Sequence, residues 1–183
     1  TGIAIGDVTG DGHVDVVTAN NYENTVSVLY GIGDGTLGSR VNYVVGEGEA
    51  RAVTLADVNE DGRRDVVATA SYYDYGCNCY AHNVAATLLQ TPDGTLAPQV
   101  QVTTGNQPVA VATADVNGDG HLDAVTANER CNTISVLLGN GDGTFGPHTA
   151  YAVRTAPRAV ALADFSGDTL PDLAVANEFC NAF

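Results

Sequence analysis

The chain has 183 residues, 22 of them acidic and 7 basic, with no lysine and a formal net charge of −15. That length is enough for one sizeable core, and the acidity argues against nucleic acid or an anionic membrane as a partner. No apolar run approaches the roughly 18 residues of a spanning helix, so no membrane insertion is predicted; the first residues read as a strand, which predicts that any secretion signal has been removed or lies outside this sequence.

The first unit opens with the strand-like "GIAIGDV", passes through the acidic turn "DVTGDGHVD" from Asp7 and returns as "VDVVTAN". "TVSVLYG" and "VNYVVG" follow, joined by "GIGDGTLG" around Asp34. Short, partly alternating runs rich in Val, Ala, Leu and Thr predict half-buried or buried strands, and Asp-Gly between two such runs is a strong hairpin signal. The second unit repeats the order with "AVTLADV", "DVNEDGRRD" from Asp57, "RDVVATA" and "TPDGTLAP" around Asp93. An insertion, "SYYDYGCNCYAHN", interrupts its middle hairpin, so that the last loop Asp and the turn Asp stand nine residues further apart than in units one and three. The third unit has "AVATADV", "DVNGDGHLD" from Asp115, "LDAVTAN", "TISVLLG", "GNGDGTFG" around Asp142 and "TAYAV"; the fourth has "AVALADF", "DFSGDTLPD" from Asp164 and "PDLAVAN".

The acidic turns recur at offsets of 50, 58 and 49 residues. Self-similarity at that period, with four strands per unit, is the signature of propeller blades. No segment has a sustained helical period. The predicted fold is therefore all-β: blades of four antiparallel strands, about three and a half of them, in one β-propeller that is partial or completed by another copy. Blades are placed at approximately 1–50, 51–108, 109–157 and 158–183, the last incomplete.

Carboxylates on alternate residues around a glycine turn repel one another unless a cation sits among them. In the third loop Asp115, Asn117, Asp119 and Asp123 stand at positions 1, 3, 5 and 9, with Gly120 at position 6 and the backbone carbonyl of His121 at position 7. This oxygen-only set suits Ca²⁺, whereas Mg²⁺ takes fewer protein ligands and zinc favours His or Cys. The matching ligands are Asp7, Thr9, Asp11, the His13 backbone and Asp15 in the first loop, and Asp57, Asn59, Asp61, the Arg63 backbone and Asp65 in the second. In the fourth they are Asp164, Ser166, Asp168, the Leu170 backbone and Asp172. Up to four Ca²⁺ are expected, offsetting about half of the net charge. The side chains of His121, Arg63 and Arg64 are expected in solvent. The Asp164 site is expected to be the weakest, because Ser166 is a poorer donor and the β-branched Thr169 replaces the turn glycine. An EF-hand is excluded, since position 12 is Thr18, Ala68, Thr126 or Val175 where that motif needs Glu.

The segment "DVNGDGHLDAVTANERCNTISVLLGNGDGTFG" and its three relatives resemble the FG-GAP/VCBS repeats of bacterial extracellular proteins, which are related to the integrin α-subunit propeller. The resemblance covers essentially the whole chain. It implies calcium-loaded propeller blades, usually in secreted or surface proteins, with roles in adhesion, ligand binding or scaffolding. Loops of this kind in extracellular modules bind calcium with affinities on the order of 10⁻⁴ to 10⁻³ M, so an extracellular or cell-surface location is expected.

Four cysteines permit three pairings. Cys131 and Cys180 each lie eight residues after the last Asp of their loops, and Cys77 and Cys79 lie in the insertion at about the same place. Disulfides are expected, with Cys131 joined to Cys77 or Cys79 across neighbouring blades; zinc held by the two insertion cysteines and His82 is the lesser alternative. The insertion also carries Tyr72, Tyr73, Tyr75 and Tyr80, half of the eight tyrosines. Rigid amphipathic rings there make a contact surface for a sugar or a protein, and the competing reading is a stapled loop that only covers a blade edge.

No HExxH, GxSxG or Walker pattern occurs, and "GIGDG" and "GNGDG" lack the helix a cofactor loop needs, so no enzymatic activity is expected. The expected function is an extracellular calcium-binding propeller module with a structural or adhesive role. Its expected partners are other copies of itself, joined head to tail into oligomers or filaments, or other surface proteins. The alternative is a lectin-like propeller that binds carbohydrate or protein.

Overall fold

The computed structural model describes residues 2–178, which hold 14 strands and no helix. β1 (Ile3–Gly6), β2 (Asp15–Asn20), β3 (Thr25–Gly31) and β4 (Leu37–Val44) form one antiparallel sheet in sequence order. β5 (Glu49–Ala56), β6 (Asp65–Asp74), β7 (Cys79–Leu88) and β8 (Val100–Thr103) form the second, and β9 (Pro108–Ala114), β10 (Asp123–Asn128), β11 (Thr133–Leu137) and β12 (Thr149–Ala152) the third. β13 (Pro157–Ala163) and β14 (Asp172–Asn177) pair as the fourth.

The register repeats from unit to unit. Each acidic loop closes the last pair of its hairpin, Gly6 with Asp15, Ala56 with Asp65, Ala114 with Asp123 and Ala163 with Asp172. A bulge also recurs in the first strand: Arg51, Val109 and Arg158 each stand as an extra residue without a partner across the ladder.

The sheets stack in chain order. β5 packs against β1 and β2, β9 against β5 and β6, and β13 against β9 and β10. Burial follows from that layering. β10 is buried along its whole length and β6 from Asp65 to Ser71, because both have a sheet on either side, whereas β4 and β12 stand mostly in water. The space between stacked sheets is filled by small branched side chains. Val17, Val26, Val28, Val66, Ala68 and Leu88 belong to one cluster, while Ala56, Val58 and Val67, with Leu89, Val111, Leu122 and Phe145, make the next. Fully burying one such Val or Leu contributes about 1.5–3 kcal/mol.

The middle hairpin of the second unit departs from the others. β2 and β10 end at Asn20 and Asn128, whose Nδ2 atoms donate to Thr25 and Ser27, and to Thr133 and Ser135, at 2.8–3.1 Å. At the matching place β6 has Ala70, paired with Ala50, and the strand continues. Tyr72 pairs with Ala81, Tyr73 with Tyr80 and Asp74 with Cys79, so the insertion is a two-stranded ribbon extending the hairpin and not a loop laid on a blade edge.

The cysteine pairing expected across blades is corrected here. Cys77 and Cys79 are joined to each other at the ribbon tip, where a tight turn with Asn78 at φ 53° brings their Cα atoms to 5.3 Å. Cys131 is an exposed free thiol, and Cys180 lies outside the described residues. The zinc alternative falls with it: both insertion thiols are consumed, and His82 contacts Glu47 at 3.3 Å.

Candidate functional site

The four acidic loops share one hydrogen-bond pattern. At position 1 the carboxylate gathers amides from inside its own loop. Asp115 accepts from Gly118 (2.7 Å), Asp119 (3.2 Å) and Gly120 (2.9 Å), and Asp57 accepts from Asp61 (3.1 Å) and Gly62 (2.8 Å). Asp7 takes the amides of Thr9, Gly10 and Gly12; burial pushes its carboxyl up, but these amides outweigh it and hold it below the usual range. At position 5 Asp119 accepts the His121 amide (2.9 Å) and the Asn117 amide group (2.8 Å), which together also keep it low.

Position 9 differs in a way that its spacing does not reveal. Asp15, Asp65 and Asp123 are fully buried. One oxygen of each accepts the amide of position 2 of its own loop, from Val8 (2.9 Å), Val58 (3.1 Å) and Val116 (2.9 Å). The other accepts an amide beyond the middle hairpin, from Gly31, Gln90 and Gly139, at 2.8 Å in each case. A side chain on Gly31 or Gly139 would collide with the carbonyl of Val14 or Leu122, so glycine is needed to let the strand pass this close to the loop. Each of these three aspartates thus ties its acidic turn to the end of the third strand. Burial pushes Asp65 up to about 6 against its two hydrogen bonds, with the charges of Asp61 and Asp57 adding to the rise, and burial raises Asp123 in the same way. Among the described residues, no basic side chain pairs with Asp15, Asp65 or Asp123.

The loops also reach their neighbours. The Gly143 amide donates to the Val58 carbonyl at 3.1 Å, joining the second turn of the third unit to the acidic loop of the second. His121, expected in solvent, is 40% exposed at its side chain, lies over Gly141 and contacts Glu60 of the preceding loop through Nδ1. Arg63 pairs with Asp61 and donates to the Gln90 carbonyl (3.3 Å). Leu170 reaches Gly118 of the loop before it.

In the fourth loop Thr169 stands at φ 77° where the others have glycine, and Asp172 is only half-buried, accepting from Phe165 (2.9 Å) and Ser166 (2.7 Å) of its own turn.

The donor types fit a hard cation: in each loop three carboxylates and an oxygen-bearing third residue lie within nine positions, and a carboxylate bonded to two amides keeps lone pairs free. Among the described residues, no three acidic, His or Cys side chains already converge as a cluster ready to hold a metal. The loops are braced by their own amides, and any ion would share the carboxylates with them.

At the other end of the hairpins the tyrosines divide. Tyr72, Tyr73 and Tyr75 line a groove of about 750 Å³ with Tyr22 of the β2–β3 turn, whereas Tyr80 lies edge-on to Tyr73 with ring centroids 4.9 Å apart and takes two arginines. The sequence could not show that Tyr22 belongs with the ribbon, because only the stacking of the first two sheets brings them together.

Comparison with known proteins fits this architecture. No curated protein sequence matches the chain. Among solved structures, the Photorhabdus luminescens Tc holotoxin pore is similar at 17% identity and a TM-score of 0.50, over 93% of this chain and 8% of that one. A lectin of Agrocybe aegerita, solved to explain its specific recognition of non-reducing terminal N-acetylglucosamine, aligns at 21% identity and a TM-score of 0.34, over 92% of this chain and 59% of that one. The chain therefore spans only part of either protein. A family model for the FG-GAP-like repeat matches residues 7–68, 78–126 and 115–175. With nearly every strand and all four acidic turns inside those matches, the chain belongs to the FG-GAP-like repeat family.

Proposed function

We propose that this chain is a calcium-binding, β-propeller-like module of an extracellular or cell-surface protein, with a structural or adhesive role. The observation that carries the calcium reading is the set of three fully buried carboxylates, Asp15, Asp65 and Asp123, none with a basic partner among the described residues, of which Asp65 and Asp123 also feel the charges of other carboxylates in their loops. A buried charge is tolerated when it is paired or bound to a metal. The loop residues at positions 1, 3, 5 and 9 and the carbonyl at position 7 would hold the ion, whose charge would neutralise the turn. The chain's own residues do the rest: the ninth aspartate carries the effect to the third strand, and contacts such as Gly143 to Val58 carry it to the next sheet.

Self-association is the second part of the reading, and it rests on the two outer sheets. Ile3 and Ile5 of β1 are 64% and 61% exposed, and Ala159, Ala161 and Ala163 of β13 are exposed, although the same strand positions in the inner sheets face a neighbour. Another blade, from a second copy or from elsewhere in the same protein, would cover them.

Thermal unfolding in calcium and in chelator tests the calcium reading. Calcium at about 100 times its dissociation constant stabilises by about 2.7 kcal/mol per site, so Tm should rise clearly, and Asp119→Ala should lose part of the rise. The same Tm in calcium and chelator would overturn the reading.

A further inference from the structure

The groove beside the ribbon is a second site. It stands at the opposite end of the hairpins from the acidic loops, so it does not rest on the calcium reading. One wall is Tyr22, 91% exposed, and the other is the ribbon face with Tyr72, Tyr73 and Tyr75, the last 87% exposed. Between them stand Glu23, Glu47 and Glu49, and no lining side chain is basic. Glu49 is already paired with Arg51, and Glu47 contacts His82 at 3.3 Å, an ionic contact only when His82 is protonated. Glu23 accepts a hydrogen bond from the Thr25 hydroxyl at 3.3 Å and has no basic partner among the described residues.

Aromatic faces and carboxylates with no counter-ion together attract a cation. The ribbon shows the mode within the chain: Tyr80 takes the guanidinium groups of Arg51 and Arg130 at 5.8 and 5.7 Å from its centroid. No cation stands over Tyr22, Tyr72, Tyr73 or Tyr75 among the described residues. A neutral sugar could stack on the same rings but would leave the groove's charge uncompensated.

We propose that this groove binds arginine or lysine side chains of a basic segment on a partner protein. Its volume, about 750 Å³, is within the range of clefts that take a drug-sized ligand, enough for the ends of long basic side chains.

The test is binding of a tetra-arginine peptide and its uncharged tetra-citrulline counterpart to the full chain, in millimolar calcium and salt of about 0.15 M. The arginine peptide should bind at least about tenfold more tightly, and Tyr22→Ala or Tyr75→Ala should each weaken it about two- to thirtyfold. Both rings are too exposed for their loss to change Tm, which is measured alongside. Glu23→Gln should weaken binding and flatten its salt dependence. Equal binding of the two peptides would overturn the proposal, and so would arginine binding that all three variants leave intact, since that is diffuse attraction to an acidic surface. Saturable binding of N-acetylglucosamine that is lost in Tyr75→Ala, without peptide binding, would assign the groove to carbohydrate instead.

Discussion

Asp142 shows how much of a turn's chemistry lies beyond its dipeptide. Asp-Gly was legible as a hairpin signal, but the third residue does as much: Thr144 donates to Asp142 through its hydroxyl (2.6 Å) and its amide (2.9 Å), and Thr36 does the same for Asp34. The hydroxyl above all, then the amide, holds the Asp142 carboxyl below its usual range. A carboxylate depressed in the folded state adds stability above its unfolded pKa, near 3.9, and loses it as the pH falls through the folded value. Thr144→Val should therefore raise the pKa of Asp142 and move this loss to higher pH, as followed by NMR titration of the side chain. An unchanged pKa would mean that the amide alone sets it. The ninth aspartates teach the same lesson. Their place in a ligand pattern could be read from spacing, but their role as braces could not, because the amides of Gly31, Gln90 and Gly139 lie 16 or 25 residues away.

Among the elements, the strands were legible because stacked sheets impose their burial on the sequence, as β6 shows, rich in Val and Ala and buried without a break from Asp65 to Ser71. The ribbon was not. Its residues have no alternation that distinguishes a solvated strand from a loop, and two cysteines two positions apart gave no hint that they bond to each other. The fourth acidic loop isolates the effect of one backbone angle. Gly12, Gly62 and Gly120 have open space where a side chain would stand, so only their positive φ demands glycine, and Thr169 occupies the same conformation at 77°. A β-branched residue there costs about 1–3 kcal/mol, against roughly 0.5–1 kcal/mol for the extra freedom of glycine in the unfolded chain. Thr169→Gly should therefore stabilise the chain by about 1 kcal/mol in urea unfolding, and a lower midpoint would show that Thr169 is not strained.

For the whole molecule, the stacking of one sheet on the next decides what is shared and what is exposed. The apolar faces of β1 and β13 predict association: light scattering in millimolar calcium should find particles heavier than one chain, and chelation should reduce them. A single species of one-chain mass under both conditions would end the self-association reading and leave those faces to further blades of the same protein.

The bond from Gly143 to Val58, with the Glu60–His121 contact beside it, has a mechanical consequence. Within a sheet, neighbouring strands are laced by a ladder of backbone bonds, whereas at this rim two sheets are bolted by one such bond and a few side chains. A tensile load should part the seam before it unzips a ladder, so that the chain lengthens by releasing whole sheets as intact plates, and any ion that stiffens an acidic loop sets the force at which the first plate lets go.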